Sequence, residues 1–193
     1  MKWIFVGLGN PGGEYVNTRH NTGRIVLEAF RKHHDLPEWE MKKPYEALVS
    51  TGDDTMLIEP ETFMNKSGKS LISLVKSKKQ AEQLVVIYDD LDLPLGSWKF
   101  AFDRGSGGHK GLESIMRAIK TKAFVRVRVG VSSGVPGKVK KPKGEEAVVK
   151  FILGKFKDSE LAELKKVSKQ IVEGLDLLVE EGREHAMNEW NKK

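Results

Sequence analysis

The polar residues best placed to do chemistry follow two apolar segments of the chain. Residues 2–6 form one apolar run, followed by Asn10 and His20, and residues 84–88 form another that ends in Asp89 and Asp90. Ligands of α/β proteins bind outside the carboxyl ends of strands. If the two strands are neighbours, a histidine and a carboxylate can meet there. That pair is the minimum for general base catalysis, because the carboxylate fixes the imidazole tautomer and supports its positive charge.

Water is the expected nucleophile. The chain has no Cys, and no Ser lies in a G-x-S-x-G elbow that leads from a strand into a helix. Asparagine side chains such as Asn10 and Asn65 could donate hydrogen bonds to a developing oxyanion. A metal site is not favoured, because His33 and His34 are adjacent on a predicted helix and should not face one ion.

Residues 7–12 (GLGNPG) match the dinucleotide-binding pattern G-x-G-x-x-G directly after a strand. That fold needs the turn to open a helix at once, so that backbone N–H groups meet the pyrophosphate. Pro11 removes one N–H, and Gly12 and Gly13 disfavour helix nucleation. The acidic residue expected about 20 residues later, at the end of a second strand, is also missing. We therefore reject a nicotinamide or flavin site.

The hydrophobic pattern predicts one α/β domain over residues 1–193, with a mixed, mostly parallel twisted sheet flanked by helices. Valines alternate with Arg126 and Arg128 in residues 124–131, which predicts a strand with one solvated face. Residues 135–144, rich in Pro, Gly and Lys, are expected to form a mobile loop. The other predicted strands are 2–6, 84–88, 98–102 and a hairpin of 47–50 with 55–59, and the predicted helices are 22–33, 65–78, 111–120 and a long helix from about residue 158.

The positive charge is concentrated in one stretch. The 193 residues have a formal charge of +6, but residues 104–143 carry eleven basic residues and one acidic residue. A basic patch of this kind is typical of proteins that bind a polyanion such as nucleic acid. No apolar run is long enough for a signal peptide core or a membrane span. With no Cys, the composition fits a cytoplasmic protein.

Five motifs resemble those of the bacterial-type peptidyl-tRNA hydrolases, in the order that the family has them. They span nearly the whole chain, and five motifs in register are far more specific than one glycine pattern. The resemblance implies a single monomeric α/β domain with no cofactor, no metal and no obligate protein partner. The matching segments are residues 7–12 with Tyr15 and 18–21, residues 60–68, 89–96, 105–112 and 124–130.

The resemblance also implies a reaction, hydrolysis of the ester that joins a peptide to the 3′-terminal ribose of tRNA. His20 would be the general base that activates water, and Asp89 would orient it. Asn10 and Asn65 would bind the ester and peptide groups and help to stabilise the oxyanion. The residues implied in substrate or tRNA binding are Tyr15, Met64, His109, Lys110, Arg126, Arg128, Lys138, Lys140 and Lys141.

Two positions depart from the family pattern. Lys110 stands where the family usually has Asn, so this position keeps hydrogen-bond donors but loses the acceptor. Ala101 falls near where members often carry a basic residue. Some relatives in plant organelles serve RNA splicing, so a catalytically weak RNA-binding protein is the alternative hypothesis. Retention of the four proposed catalytic residues favours an enzyme.

Overall fold

The computed structural model describes residues 2–192, and a mixed β-sheet is its framework. Within those residues the sheet has eight strands. Seven follow the order β2-β3-β4-β1-β5-β7-β6, and the eighth, β8, pairs with β7. The central strands β4, β1, β5 and β7 run parallel. The strands are β1 Trp3–Gly7, β2 Glu40–Lys42, β3 Ala47–Thr51, β4 Thr55–Pro60, β5 Leu84–Pro94, β6 Trp98–Phe102, β7 Val125–Val135 and β8 Lys138–Lys140.

Helices cover both faces of this sheet. Alternate residues of β1 divide between two cores, with Phe5 on the side of α1 and α5 and Val6 on the side of α3. The period of two along a strand produces this division, because successive side chains point to opposite faces. The prediction of an α/β domain with a mixed sheet flanked by helices is confirmed. The helices are α1 Thr22–His33, α2 Lys78–Ala81, α3 Lys110–Ile119, α4 Glu145–Ile152, α5 Asp158–Glu181 and α6 Arg183–Trp190.

The adjacency of β1 and β5 is the feature that assembles the site. They pair in parallel, with Val6 opposite Val86 and Gly7 opposite Ile87. The segment after β1 and the end of β5 therefore meet at one edge of the sheet, as the sequence predicted. Among residues 2–192, no helix is both long enough and apolar enough to span a membrane.

The predicted helix over 65–78 is wrong. A 3₁₀ helix spans Met64–Leu71 instead, and only the short α2 follows it. Serine hydroxyls compete with regular helix here, because Ser67 Oγ donates to the Met64 carbonyl. Gly68 lies so close to α3 that a Cβ would come within 2.3 Å of the Ser114 carbonyl oxygen. Close packing on α3 thus decides the path of this segment.

The solvated arginine face predicted for β7 is also wrong. Arg126 is fully buried, because Met116 of α3 and the segment that carries Gly105 cover its face of β7. Its Nη1 donates to the Gly105 carbonyl at 3.0 Å, and its guanidinium lies 4.7 Å from the centroid of the Phe124 ring. Arg128 is partly exposed, and its Nε donates to Asp90 Oδ2 at 2.7 Å. The two arginines therefore have different environments.

The segment expected as an irregular loop contains strand structure. Residues 133–135 pair with β8 in an antiparallel hairpin. Gly134 and Gly137 have φ of 115° and 79°, a backbone region that glycine enters without a steric cost. Strand β2 and helices α4 and α6 are further elements that the pattern did not predict.

Candidate active site

His20 and Asp89 meet at the carboxyl ends of β1 and β5. His20 lies in a 3₁₀ turn, Arg19–Asn21, that leads into α1, and its Nδ1 lies 3.0 Å from each carboxylate oxygen of Asp89. Both residues are buried. Because an ionised carboxylate only accepts hydrogen bonds, Nδ1 carries the proton and donates it. The other ring nitrogen, Nε2, is then the one available to accept a proton.

The Asp89 carboxylate is held in its charged form. Burial alone would raise the pKa of Asp89, but the charges and hydrogen bonds of His20 and His109 outweigh it and hold that pKa well below its ordinary value. Asp89 is therefore ionised throughout the neutral range. A permanent negative charge at this position stabilises the imidazolium that forms when His20 takes a proton.

His109 is a second imidazole on the same carboxylate. Its Nε2 lies 3.1 Å from Asp89 Oδ1, and its Nδ1 accepts from the backbone N–H groups of Gly111 and Leu112 at 3.2 and 3.4 Å. Two donors directed at Nδ1 leave no place there for a proton. The proton of neutral His109 therefore lies on Nε2 and is donated to Asp89. His109 caps α3 and holds Asp89 at once.

The tautomers of this cluster bear on metal binding. The ligand atoms of His20, Asp89 and His109 lie within 4.8 Å of one another. Each ring nitrogen that faces Asp89 carries a proton, and moving the His109 proton to Nδ1 would oppose two backbone donors. A metal ligand must offer a lone pair. The cluster fits a hydrogen-bond network and does not fit a metal ion.

A second histidine cluster corrects the sequence-based view of His33 and His34. The ligand atoms of these two residues and Asp176 also lie within 4.8 Å of one another, on the surface. His34 can turn toward Asp176 because it ends α1, with φ −97° and ψ 11°. Its Nε2 lies 2.8 Å from Asp176 Oδ1. The prediction that His33 and His34 should not face one ion is therefore wrong as a matter of geometry.

A cleft of about 940 Å³ opens beside His20 and Asp89. Its opposite wall includes Val148 and Ile152 of α4. The Lys110 side chain is 64% exposed at the mouth, with Nζ 3.8 Å from Glu113 Oε2. Basic side chains thus line the opening of a cleft whose floor is the histidine–carboxylate network. The basic lining residues are Arg104, Lys110, Arg128 and Lys141.

Asn10 lies beside this cleft rather than in its lining. It exchanges hydrogen bonds of 2.9 Å with Asn21, and its Oδ1 accepts from the Met64 backbone N–H at 2.8 Å. Only its amide NH₂ group is left to donate. Asn10 and Asn21 form part of the wall of a second cavity of about 520 Å³. The sequence pattern predicted no role for Asn21, but its side chain fixes the backbone of Asn10.

Of the remaining predicted binding residues, Lys141 lines the cleft, whereas the others line neither cavity. Met64 is buried and its sulfur packs closely on Gly111, whereas Asn65 is exposed. Tyr15 packs edge-on against Phe63 with ring centroids 6.4 Å apart. The lysines of the β8 hairpin, Lys138, Lys140 and Lys141, are exposed, and Lys141 forms an ion pair with Asp92. Arg126 is the one predicted phosphate contact that is buried in the core.

Comparison with known proteins gives a consistent result. The family model described as "Peptidyl-tRNA hydrolase" matches residues 4–193. The peptidyl-tRNA hydrolase of Syntrophotalea carbinolica is 40% identical over 98% of this chain and 97% of its own length. That of Aquifex aeolicus is 38% identical over 98% of this chain and 96% of its own length. The crystal structure of peptidyl-tRNA hydrolase from Acinetobacter baumannii is similar, with a TM-score of 0.85, 30% identity and coverage of 98% of this chain and 94% of that one.

Proposed function

Because this chain belongs to the peptidyl-tRNA hydrolase family, we propose that it hydrolyses the ester between a peptide and the 3′-terminal ribose of tRNA. The observation that carries the proposal is the buried His20–Asp89 pair at 3.0 Å, which leaves Nε2 of His20 as a proton acceptor at the cleft. Family membership and geometry support the same reaction.

His20 is the general base in this mechanism. Its Nε2 takes a proton from water as the water oxygen attacks the ester carbonyl carbon, and Asp89 stabilises the resulting imidazolium. The tetrahedral intermediate then collapses, and the imidazolium returns the proton to the leaving 3′-oxygen of the ribose. The products are a free peptide carboxylate and tRNA. These steps use no cofactor and no metal.

The asparagines bind the reacting group. We assign Asn10 Nδ2 as a donor to the developing oxyanion, because its Oδ1 is occupied by the Met64 N–H. Asn65, exposed on the neighbouring 3₁₀ helix, binds the peptide part of the substrate. Tyr15 and Met64 support this region by packing. His109 positions Asp89 and, as a residue of the cleft lining, can also contact the tRNA end.

Exposed basic side chains hold the tRNA phosphates. Those of the cleft mouth and the β8 hairpin, Lys110, Lys138, Lys140 and Lys141, are solvent-accessible and can exchange counterions for phosphate. Arg128 contributes less because Asp90 neutralises it. We further propose that residues 1–193 form one domain that acts as a cytoplasmic monomer, without an obligate protein partner. The alternative of a non-catalytic RNA-binding protein is not favoured, since the His–Asp pair is fully assembled.

The test is release of N-acetyl amino acid from tRNA by the wild type and by His20→Ala, with a chelator present. We expect turnover by the wild type and a loss of about 10²- to 10⁴-fold in kcat for the variant, the usual contribution of a general base. His33→Ala, at an exposed position outside the cleft, is the matched control. Tight tRNA binding with no wild-type turnover would contradict the proposal.

A further inference from the structure

The second cavity has a wall that the hydrolysis reaction does not explain. It lies between α1, the loop after β1 and the end of β4, and Trp39 forms part of its wall. Asn10 and Asn21 also line it, and Asn21 belongs to the turn that carries His20. An acyl group whose ester is held by Asn10 would therefore have this cavity beside it.

Glu59 is the unusual group in that wall. The residue is 6% exposed, and no group in residues 2–192 forms a hydrogen bond to its carboxyl. Its ion-pair partner is Arg24, whose Nη1 lies 3.6 Å from Oε2, too far for a hydrogen bond. Arg24 itself is engaged elsewhere, with Glu61 Oε1 at 2.9 Å and with the Pro60 carbonyl. An ionised carboxylate in this position is costly, and a hydrogen-bond donor in the cavity, from water or from a ligand, would lower that cost.

The charges around the two cavities show which part of the substrate belongs in each. The cleft beside His20 is lined by four basic side chains and by four acids, Asp89, Asp90, Asp92 and Glu145. In the second cavity, Arg24 is the one basic residue among the described residues of the lining, and Glu28 and Glu59 are its acids. Arg24 faces Glu59 and Glu61, and Glu28 adds a third carboxylate. Glu28 is ionised, since burial raises its pKa but hydrogen bonds from Arg31, Trp39 and Lys32 lower it to about 2. With two acids against one basic residue, the second cavity is unsuited to phosphate, so the acyl side of the ester is the part that suits it.

We propose that this cavity is a subsite for the acyl group and that Glu59 makes it prefer a basic side chain on the residue esterified to tRNA. The inference rests on the proposed function. A lysine or arginine side chain would lie along Trp39 and donate to Glu59, and the side-chain oxygen of Asn17 in the same wall would accept a second donor. Glu59 is a specificity-determining residue in this view and takes no part in the chemical step.

The test uses one tRNA that carries four different acyl groups, compared in two pairs. The first pair is α-N-acetyl-lysine and α-N-acetyl-norleucine, and the second is α-N-acetyl-arginine and α-N-acetyl-citrulline. The tRNA is constant, so the ratio of kcat/KM within each pair reports only on the side chain. At pH 8 we expect the wild type to favour the basic member on the order of tenfold, as for a hydrogen bond to a charged group. In Glu59→Gln that ratio should fall close to one. In Glu61→Gln, which changes the other partner of Arg24 outside the cavity wall, the preference should persist.

Two results would overturn the subsite. One is a wild-type ratio near one for both pairs, and the other is a preference that survives unchanged in Glu59→Gln, which would place its origin elsewhere. Failure of the hydrolysis function is distinguishable, because the wild type would then cleave none of the four esters. In that case α-N-acetyl-lysinamide and α-N-acetyl-norleucinamide are titrated against the indole N–H signal of Trp39, assigned with Trp39→Phe. Absence of a shift selective for the lysine compound would reject the subsite independently of catalysis.

Discussion

His109 and Asp89 are joined by a hydrogen bond whose direction is fixed by the protein. Backbone donors at the start of α3 occupy Nδ1 of His109, so the proton on Nε2 points at Asp89 Oδ1 over 3.1 Å. Asp89 thus receives one N–H from His20 and another from His109. The second donor holds in place the carboxylate that orients His20, and this makes His109 a positioning residue.

His109→Asn separates the two tasks of this side chain. Asn is a good helix N-cap, so α3 stays capped, but its shorter side chain does not reach Asp89. We expect kcat to fall about tenfold, the value of one hydrogen bond to a charged group. KM should change little, because His109 holds Asp89 and not the substrate. A rise in KM without a fall in kcat would contradict the positioning role.

Asp89→Asn should abolish most of the activity while it leaves the fold in place. An amide can donate to Nδ1 of His20 and so stabilise the wrong imidazole tautomer, with the proton on Nε2. We expect kcat to fall about 10²- to 10⁴-fold with little change in KM. Asp92→Asn, three residues along the same strand and exposed, is the matched control and should keep kcat within a factor of about two. Equal losses in both variants would contradict the role of Asp89.

The sequence predicted those parts of the fold and site that depend on local pattern. Apolar periodicity predicted the strands β1 and β5 and helix α1. The meeting of His20 with Asp89 was expected on the condition that the two strands are neighbours, which the structure shows. Alternation failed for β7, because Met116 of α3 and the segment that carries Gly105 cover the face on which Arg126 lies. Glu59 was missed, since a single acid after an apolar run gives no sign of whether its carboxyl will be paired.

Arg126 and Lys140 are both basic, but their different exposure predicts different effects of substitution on tRNA binding. Lys140 is exposed on β8, whereas Arg126 is 0% exposed. Lys140→Gln should weaken tRNA binding and reduce the slope of log K against log salt by about one, as expected for one lost phosphate contact. Arg126→Met should leave that slope unchanged and lower the free energy of unfolding, because the Gly105 carbonyl loses its donor. A changed slope in Arg126→Met would mean that the residue reaches phosphate.

The burial of Glu59 predicts that its contribution to the free energy of unfolding falls as the pH rises, the opposite of the usual case for an acid. Burial raises the pKa of Glu59 to about 7, against the charge of Arg24 and with the charges of Glu28 and Glu61. The folded chain therefore keeps this proton to higher pH than the unfolded chain, in which a Glu ionises near its ordinary value of about 4.3. The contribution of Glu59 to the free energy of unfolding is fully present below pH 4 and falls as the pH rises to about 7.

Glu59→Gln removes that proton linkage. Relative to the wild type, the variant should gain about 2–3 kcal/mol in free energy of unfolding between pH 4.5 and pH 8. Urea unfolding at the two pH values measures the difference, and Glu40→Gln on the exposed strand β2 should differ from wild type by less than about 0.5 kcal/mol at both. A Glu59→Gln effect that is the same at pH 4.5 and pH 8 would show that the carboxyl is already ionised in the folded protein. Its negative charge would then have to be balanced by Arg24 at 3.6 Å.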